Sequence, residues 1–137
     1  MKKKTEFAMM LSNKPGELGR LAALMAKAKV NISGISINDG VHHGVVRFVV
    51  DEASPARAAL KKGHVAFSER QVLAIALANK LGALADICSK LAAKKVNIDY
   101  IYGTACDCAS GDDCCCGCEC TLIISVPEGR DLKAVLK

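Results

Sequence analysis

The chain repeats itself, and that repeat limits what it can fold into more than any other feature. Asn13-Lys14-Pro15-Gly16-Glu17-Leu18 returns as Asn79-Lys80-Leu81-Gly82-Ala83-Leu84, and Lys29-Val30-Asn31-Ile32 returns as Lys95-Val96-Asn97-Ile98. Both returns come 66 residues later, and ten of 24 ungapped positions are identical. A solenoid needs about three or more copies to bury its faces. Two copies in 137 residues therefore mean two small domains, expected over residues 1–68 and 69–137.

The hydrophobic period gives the elements of a copy. Thr5 to Leu11 is a short apolar run that suits a buried strand. The turn Asn13-Lys14-Pro15-Gly16 follows, with Pro15 expected at the first helical position, where a missing N–H costs nothing. Leu18, Leu21, Leu24, Met25 and Ala28 then recur at three to four residues, one apolar helix face. Val30 to Ile37 reads as a strand, Asn38-Asp39-Gly40 as a hairpin turn, and Val41 to Val50 as the returning strand. Ser54-Pro55 opens a helix through Lys62, Gly63 ends it, and Val65 to Ser68 is a last strand. The order β-α-β-β-α-β is a ferredoxin-like unit.

In the second copy the same reading gives a strand over 71–78, a helix over 82–94, strands over 96–105 and 120–126, and a helix over 129–136. The last strand is expected to be missing. The fold class is thus α+β: two ferredoxin-like βαββαβ units in tandem, the second without its final strand.

Composition excludes several functions. Aromatics are 4% of the chain and Trp is absent, which argues against a reader of single-stranded nucleic acid, built on stacking. The net charge of +5 comes from scattered lysine pairs and the run Lys2 to Lys4, a solvated surface rather than a nucleic-acid patch. No apolar run approaches the roughly 20 residues of a membrane span, and the stretch after Lys4 is too short for a signal peptide. A reducing cytoplasm is the expected compartment. No catalytic motif is present: no Gly-x-Ser-x-Gly, no His-Glu-x-x-His, no phosphate-binding or dinucleotide-binding glycine loop. The reading is of a protein that is not an enzyme.

The Asn-Lys-x-Gly turns carry the chemistry. A turn leading into a helix presents free N–H groups and the positive end of the dipole, which suits a carboxylate. An Asn side chain can both donate and accept, as an α-amino acid requires. The alternative is that Asn13 and Asn79 cap their helices.

These turns, the amphipathic helix and Val30-Asn31-Ile32 resemble the signature of ACT domains, small β-α-β-β-α-β regulatory modules that bind amino acids. The resemblance covers nearly the whole chain as a tandem pair, similar to stand-alone tandem ACT proteins without an enzyme domain. It implies an amino-acid ligand bracketed by the turn Asn and the Asn opening the next strand. Those positions are Asn13 with Asn31, and Asn79 with Asn97; Pro15, Gly16, Leu18, Ile32 and Gly82 fall in the same two segments. It also implies pairing, with ligands at the seam, and hence a homodimer. The second copy departs from the pattern at Leu81, in the cysteine insertion and in the absent last strand.

Seven of the eight cysteines lie between Cys106 and Cys120, inserted where the first copy has its hairpin turn. In a reducing compartment such density points to metal or redox chemistry rather than disulfides. If the flanking strands continue, Cys106 and Cys108 share a face, and a hairpin over Ala109 to Asp113 sets Cys114 and Cys116 opposite them. Four thiolates suit zinc, copper(I) or an iron–sulfur cluster. The spacing selects no single metal. Cys88, beside Ile87 and Leu91, reads as a small core residue. The favoured function is a non-catalytic module binding a small ligand, an amino acid, at the strand–helix turns. The alternative is a metal-binding or metal-sensing protein using the cysteine loop.

Overall fold

The computed structural model describes residues 1–38, 40–78, 80–103 and 120–128. The chain divides into two compact units, one of Lys4–Gln71 and one of Val72–Lys137 with Met1–Lys3.

In the first unit β1 (Lys2–Ser12) leads to α1 (Glu17–Lys27), β2 (Ile32–Asn38), β3 (His43–Val50) and α2 (Ala53–Lys62). The three strands run antiparallel in the order β2-β3-β1. Phe7 lies opposite Phe48 and Met9 opposite Val46, so these four residues share one face of the sheet. That face takes Leu21 and Met25 from α1 and Ala56 and Leu60 from α2 into one buried core. Phe7 stacks on Phe48 at 5.7 Å between ring centres and meets Phe67 edge-on at 5.6 Å. A register shift between Ile32 and Gly34 marks the bulge that bends β2.

The last strand of the copy differs from the sequence reading. Val65 to Phe67 is not a strand; Val65 and Phe67 turn their side chains onto the core instead. The strand β4 (Ser68–Leu77) then runs without a break where two strands, 65–68 and 71–78, are expected from sequence. Its first four residues fall in the first unit. Gln71 Nε2 there donates to Thr5 Oγ1 at 2.9 Å, and Glu69 forms a two-point ion pair with Arg57 of α2.

In the second unit the rest of β4 is followed by α3 (Ala83–Ala93), β5 (Tyr100–Gly103) and β6 (Cys120–Ser125), with β6 between β4 and β5 and all pairs antiparallel. Leu73, Ile75, Ile87, Leu91, Val96, Ile124 and Val126 form its core. Strand β5 is shorter than expected: Val96 to Asp99 stay outside it. Thr104 to Glu119 and the expected helix over 129–136 lie outside the described residues. Cys88 is half-buried on the flank of α3.

The three helices among the described residues end the same way. Lys29, His64 and Lys95 adopt φ of 58°, 53° and 54°. The N–H of each bonds back to Ala26, Lys61 and Ala92, and the N–H of the following valine reaches Met25, Leu60 and Leu91. These paired bonds satisfy the last carbonyls of each helix, while Val30, Val65 and Val96 cover its end. The Lys-Val of the repeat is therefore a helix stop. Gly63, expected to terminate α2, has φ −80°; a Cβ there would press on Leu24 Cδ2 at 3.3 Å.

Candidate functional site

The β1–α1 turn begins where β1 runs out. The Asn13 backbone N–H donates to the His42 carbonyl at 2.9 Å, and its Nδ2 donates to the Gly40 carbonyl at 3.2 Å. Asn13 therefore ties this turn to the β2–β3 turn. It does not cap α1, which overturns the capping alternative for this residue. Its Oδ1 has no hydrogen-bond partner among the described residues.

The helix starts at Glu17, with Gly16 before it at φ 89°. Pro15 thus lies in the turn and not at the first helical position. A Cβ on Gly16 would meet nothing within 4 Å, so the left-handed backbone, not crowding, calls for glycine here. Gly82 repeats the device before α3 at φ 85°. Arg20 N–H donates to Gly16 O at 2.9 Å and closes the first turn of α1. The amides of Leu18 and Gly19, which precede any i−4 carbonyl of the helix, face out of its positive end. Glu17 is held by Arg20 at 2.9 Å.

These elements line a small half-open cavity of about 100 Å³, whose walls include Asn13, Lys14, Leu18, Ile37 and Val46. At about 30 Å³ per water it holds a group of a few heavy atoms. The Asn13 oxygen and Lys14 at this cavity, with the open end of α1 beside them, offer an acceptor for an ammonium and donors for a carboxylate.

The structure brings Asn13, Pro15, Gly16 and Leu18 together and sets Asn31 and Ile32 apart from them. Asn31 N–H donates to Asp51 Oδ1 at 3.1 Å at the opposite end of the strands. The length of β2, at about 3.3 Å per residue, separates it from Asn13 by roughly 20 Å. Ile32 packs on the core. In the second unit Gly82 occupies the matching helix start and Asn97 is exposed just past the end of α3. Leu81, where the first copy has Pro15, is fully exposed. Asn79 lies outside the described residues, as do Cys106, Cys108, Cys114 and Cys116. Among the described residues no three His, Cys, Asp or Glu side chains converge as a metal site, and no helix is long and apolar enough to cross a membrane.

Sequence reasoning missed the β2–β3 turn as part of the site. The signal was present: an antiparallel β1–β3 pair sets His43 beside Ser12, which carries that hairpin to Asn13.

Two units of ferredoxin-like topology, each opening its first helix through a left-handed glycine, define a tandem α+β repeat protein. The model of the ACT domain pair matches residues 3–108, and the chain belongs to that family. Among solved structures it is similar to protein BT0572 from Bacteroides thetaiotaomicron, with TM-score 0.80 and 25% identity over 98% of this chain and 84% of that one. It is also similar in fold to the ligand-free regulatory subunit of aspartate kinase from Thermus thermophilus, with TM-score 0.63 and 18% identity over 89% of this chain and 82% of that one. No curated protein matches the sequence.

Proposed function

We propose that the protein is a non-catalytic regulatory module that binds a small α-amino acid at the β1–α1 turn of its first unit. The observation that carries this reading is the turn itself. Asn13 is held by two bonds to the neighbouring hairpin, its Oδ1 has no partner among the described residues, and it lies beside a cavity at the open end of α1. The regulatory role of the aspartate kinase subunit with this fold is in keeping with it.

The pairing implied for the family supplies the second asparagine. Strand β2 is the outer strand of its unit, and Ile35 and Ile37 beside that edge are 42% and 50% exposed. Leu18 is exposed too, and Leu84 and Ile101 repeat two of these three positions in the second unit. An open apolar edge invites a partner. A two-fold axis across it, with helices on the same side, runs the two β2 strands antiparallel. The Asn31 end of one copy then lies beside the Asn38 end, and hence the Asn13 turn, of the other. The ligand sits at that seam in a homodimer.

A thermal-shift screen of the twenty amino acids tests the reading. A stabilising hit whose affinity falls about tenfold or more in Asn13→Ala is the expected result, since hydrogen bonds to charged groups are worth about 1.5–3 kcal/mol each. No hit, or unchanged affinity in the variant by calorimetry, contradicts it.

A further inference from the structure

A larger cavity lies on the flank of α1. It has a volume of about 760 Å³ and runs between α1, the end of β1 and the segment that follows α2. Glu17, Arg20, Leu24 and Lys27, spaced by three and four residues, line its helical wall, so it extends about 15 Å along that helix. Its floor is apolar, made by Leu11, Leu21, Leu24 and Val65.

Its rim is basic. Lys27, His43 and His64 line it, and none has an acidic partner among the described residues. Arg20 and Glu17 also line it and pair with each other at 2.9 Å, so together they add no net charge and the carboxylate is not left unpaired. The left-handed turn that stops α2 fixes His64 on this rim. A long apolar trough with cationic and N–H donor groups on its edge, and one carboxylate already paired, complements a molecule with an apolar body and an anionic head.

We propose that this groove is a second binding site, distinct from the β1–α1 turn, for an amphipathic organic anion: a carboxylate or phosphate ester on a linear or aromatic apolar body. The body lies along Leu21 and Leu24, and the head meets Lys27. Each methylene seated on the floor raises affinity about fourfold, so chain length is read directly.

The test uses the full chain and calorimetric titration with hexanoate, octanoate and octan-1-ol. Octanoate is expected to bind, hexanoate to bind at least fivefold more weakly, and octanol at least tenfold more weakly. Lys27→Glu should weaken octanoate at least fivefold. Lys27→Gln, which does not oppose the helix dipole, should do so by at least twofold. Asn13→Ala should leave octanoate unchanged while it weakens the amino acid, which separates the two sites. Absence of octanoate binding, equal binding of octanol, indifference to both Lys27 variants, or loss of octanoate in Asn13→Ala each overturns the proposal.

Discussion

Replacing Gly16 by alanine isolates the backbone strain on which the turn depends. The φ of 89° puts this residue where an L side chain is strained, and the space around its Cβ is empty. The change therefore adds no clash, and its cost is conformational. A left-handed L-residue costs about 1–2 kcal/mol, and the lower entropy of the unfolded alanine chain returns about 0.4–1. The net expected loss is about 1 kcal/mol. The reverse change at the other end of the helix carries the opposite sign. Lys29 holds φ 58°, so Lys29→Gly relieves the same strain and should stabilise by up to about 1 kcal/mol. Urea unfolding of the two variants and the parent measures both shifts, and Gly82→Ala with Lys95→Gly repeats the comparison in the second unit. A neutral Gly16→Ala, or a Lys29→Gly that destabilises, would refute this backbone account. Gly16→Ala should also weaken the amino acid by more than its stability loss explains, because relaxing the turn shifts the start of α1 relative to Asn13 and Leu18, which line the cavity.

Further outcomes follow from other contacts. Phe7→Ala removes a fully buried ring that touches Phe48 and Phe67; a loss of about 3–5 kcal/mol is expected, read as early unfolding of the first unit. The Arg57 guanidinium holds the Glu69 carboxyl below its usual range. That stability is present above the ordinary glutamate value and is lost as pH falls through the lowered one. Glu69→Gln should therefore be less stable than the parent at pH 7 and equal to it in acid, by thermal melts across that range. We further propose that anaerobically purified protein carries near-stoichiometric zinc, copper or iron, lost when Cys106, Cys108, Cys114 and Cys116 become Ser. Elemental analysis of both proteins decides, and a metal-free parent contradicts the expectation.

Much of the fold was legible because each copy keeps its periods clean. Leu21 and Met25 sit on one helix face, and Phe7 and Met9 alternate into the core. The 66-residue repeat carried the same reading to α3. The last strand of the first unit was misread because the apolar pattern of Val65 and Phe67 fits core packing as well as it fits a strand. Periodicity alone does not show whether a backbone finds a hydrogen-bonding partner. The stop of α2 is legible, since the helix ends at Lys62 with Gly63 as its cap, but the left-handed residue is the next one, His64, which no local pattern marks.

The site was half legible. Residues near in sequence, Asn13 to Leu18, stay together. Asn31 was grouped with them by family resemblance, but a helix and a turn carry the chain to the far end of the sheet before it arrives. No local pattern encodes which end of a neighbouring copy lies across an edge. The role of Asn13 as a strap to Gly40 depends on a contact 27 residues away.

The central claim is that the β1–α1 turn of the first unit is where an amino acid binds. Amide NMR of the nitrogen-15-labelled chain, titrated with the amino acid that most raises its melting temperature, tests this most directly. The account predicts saturable shifts of Asn13, Gly16, Leu18 and Gly19, with Asn31 shifting at the same concentration because it reaches the ligand from the paired copy. Shifts confined to other residues, with those of the turn unmoved at saturation, would contradict it.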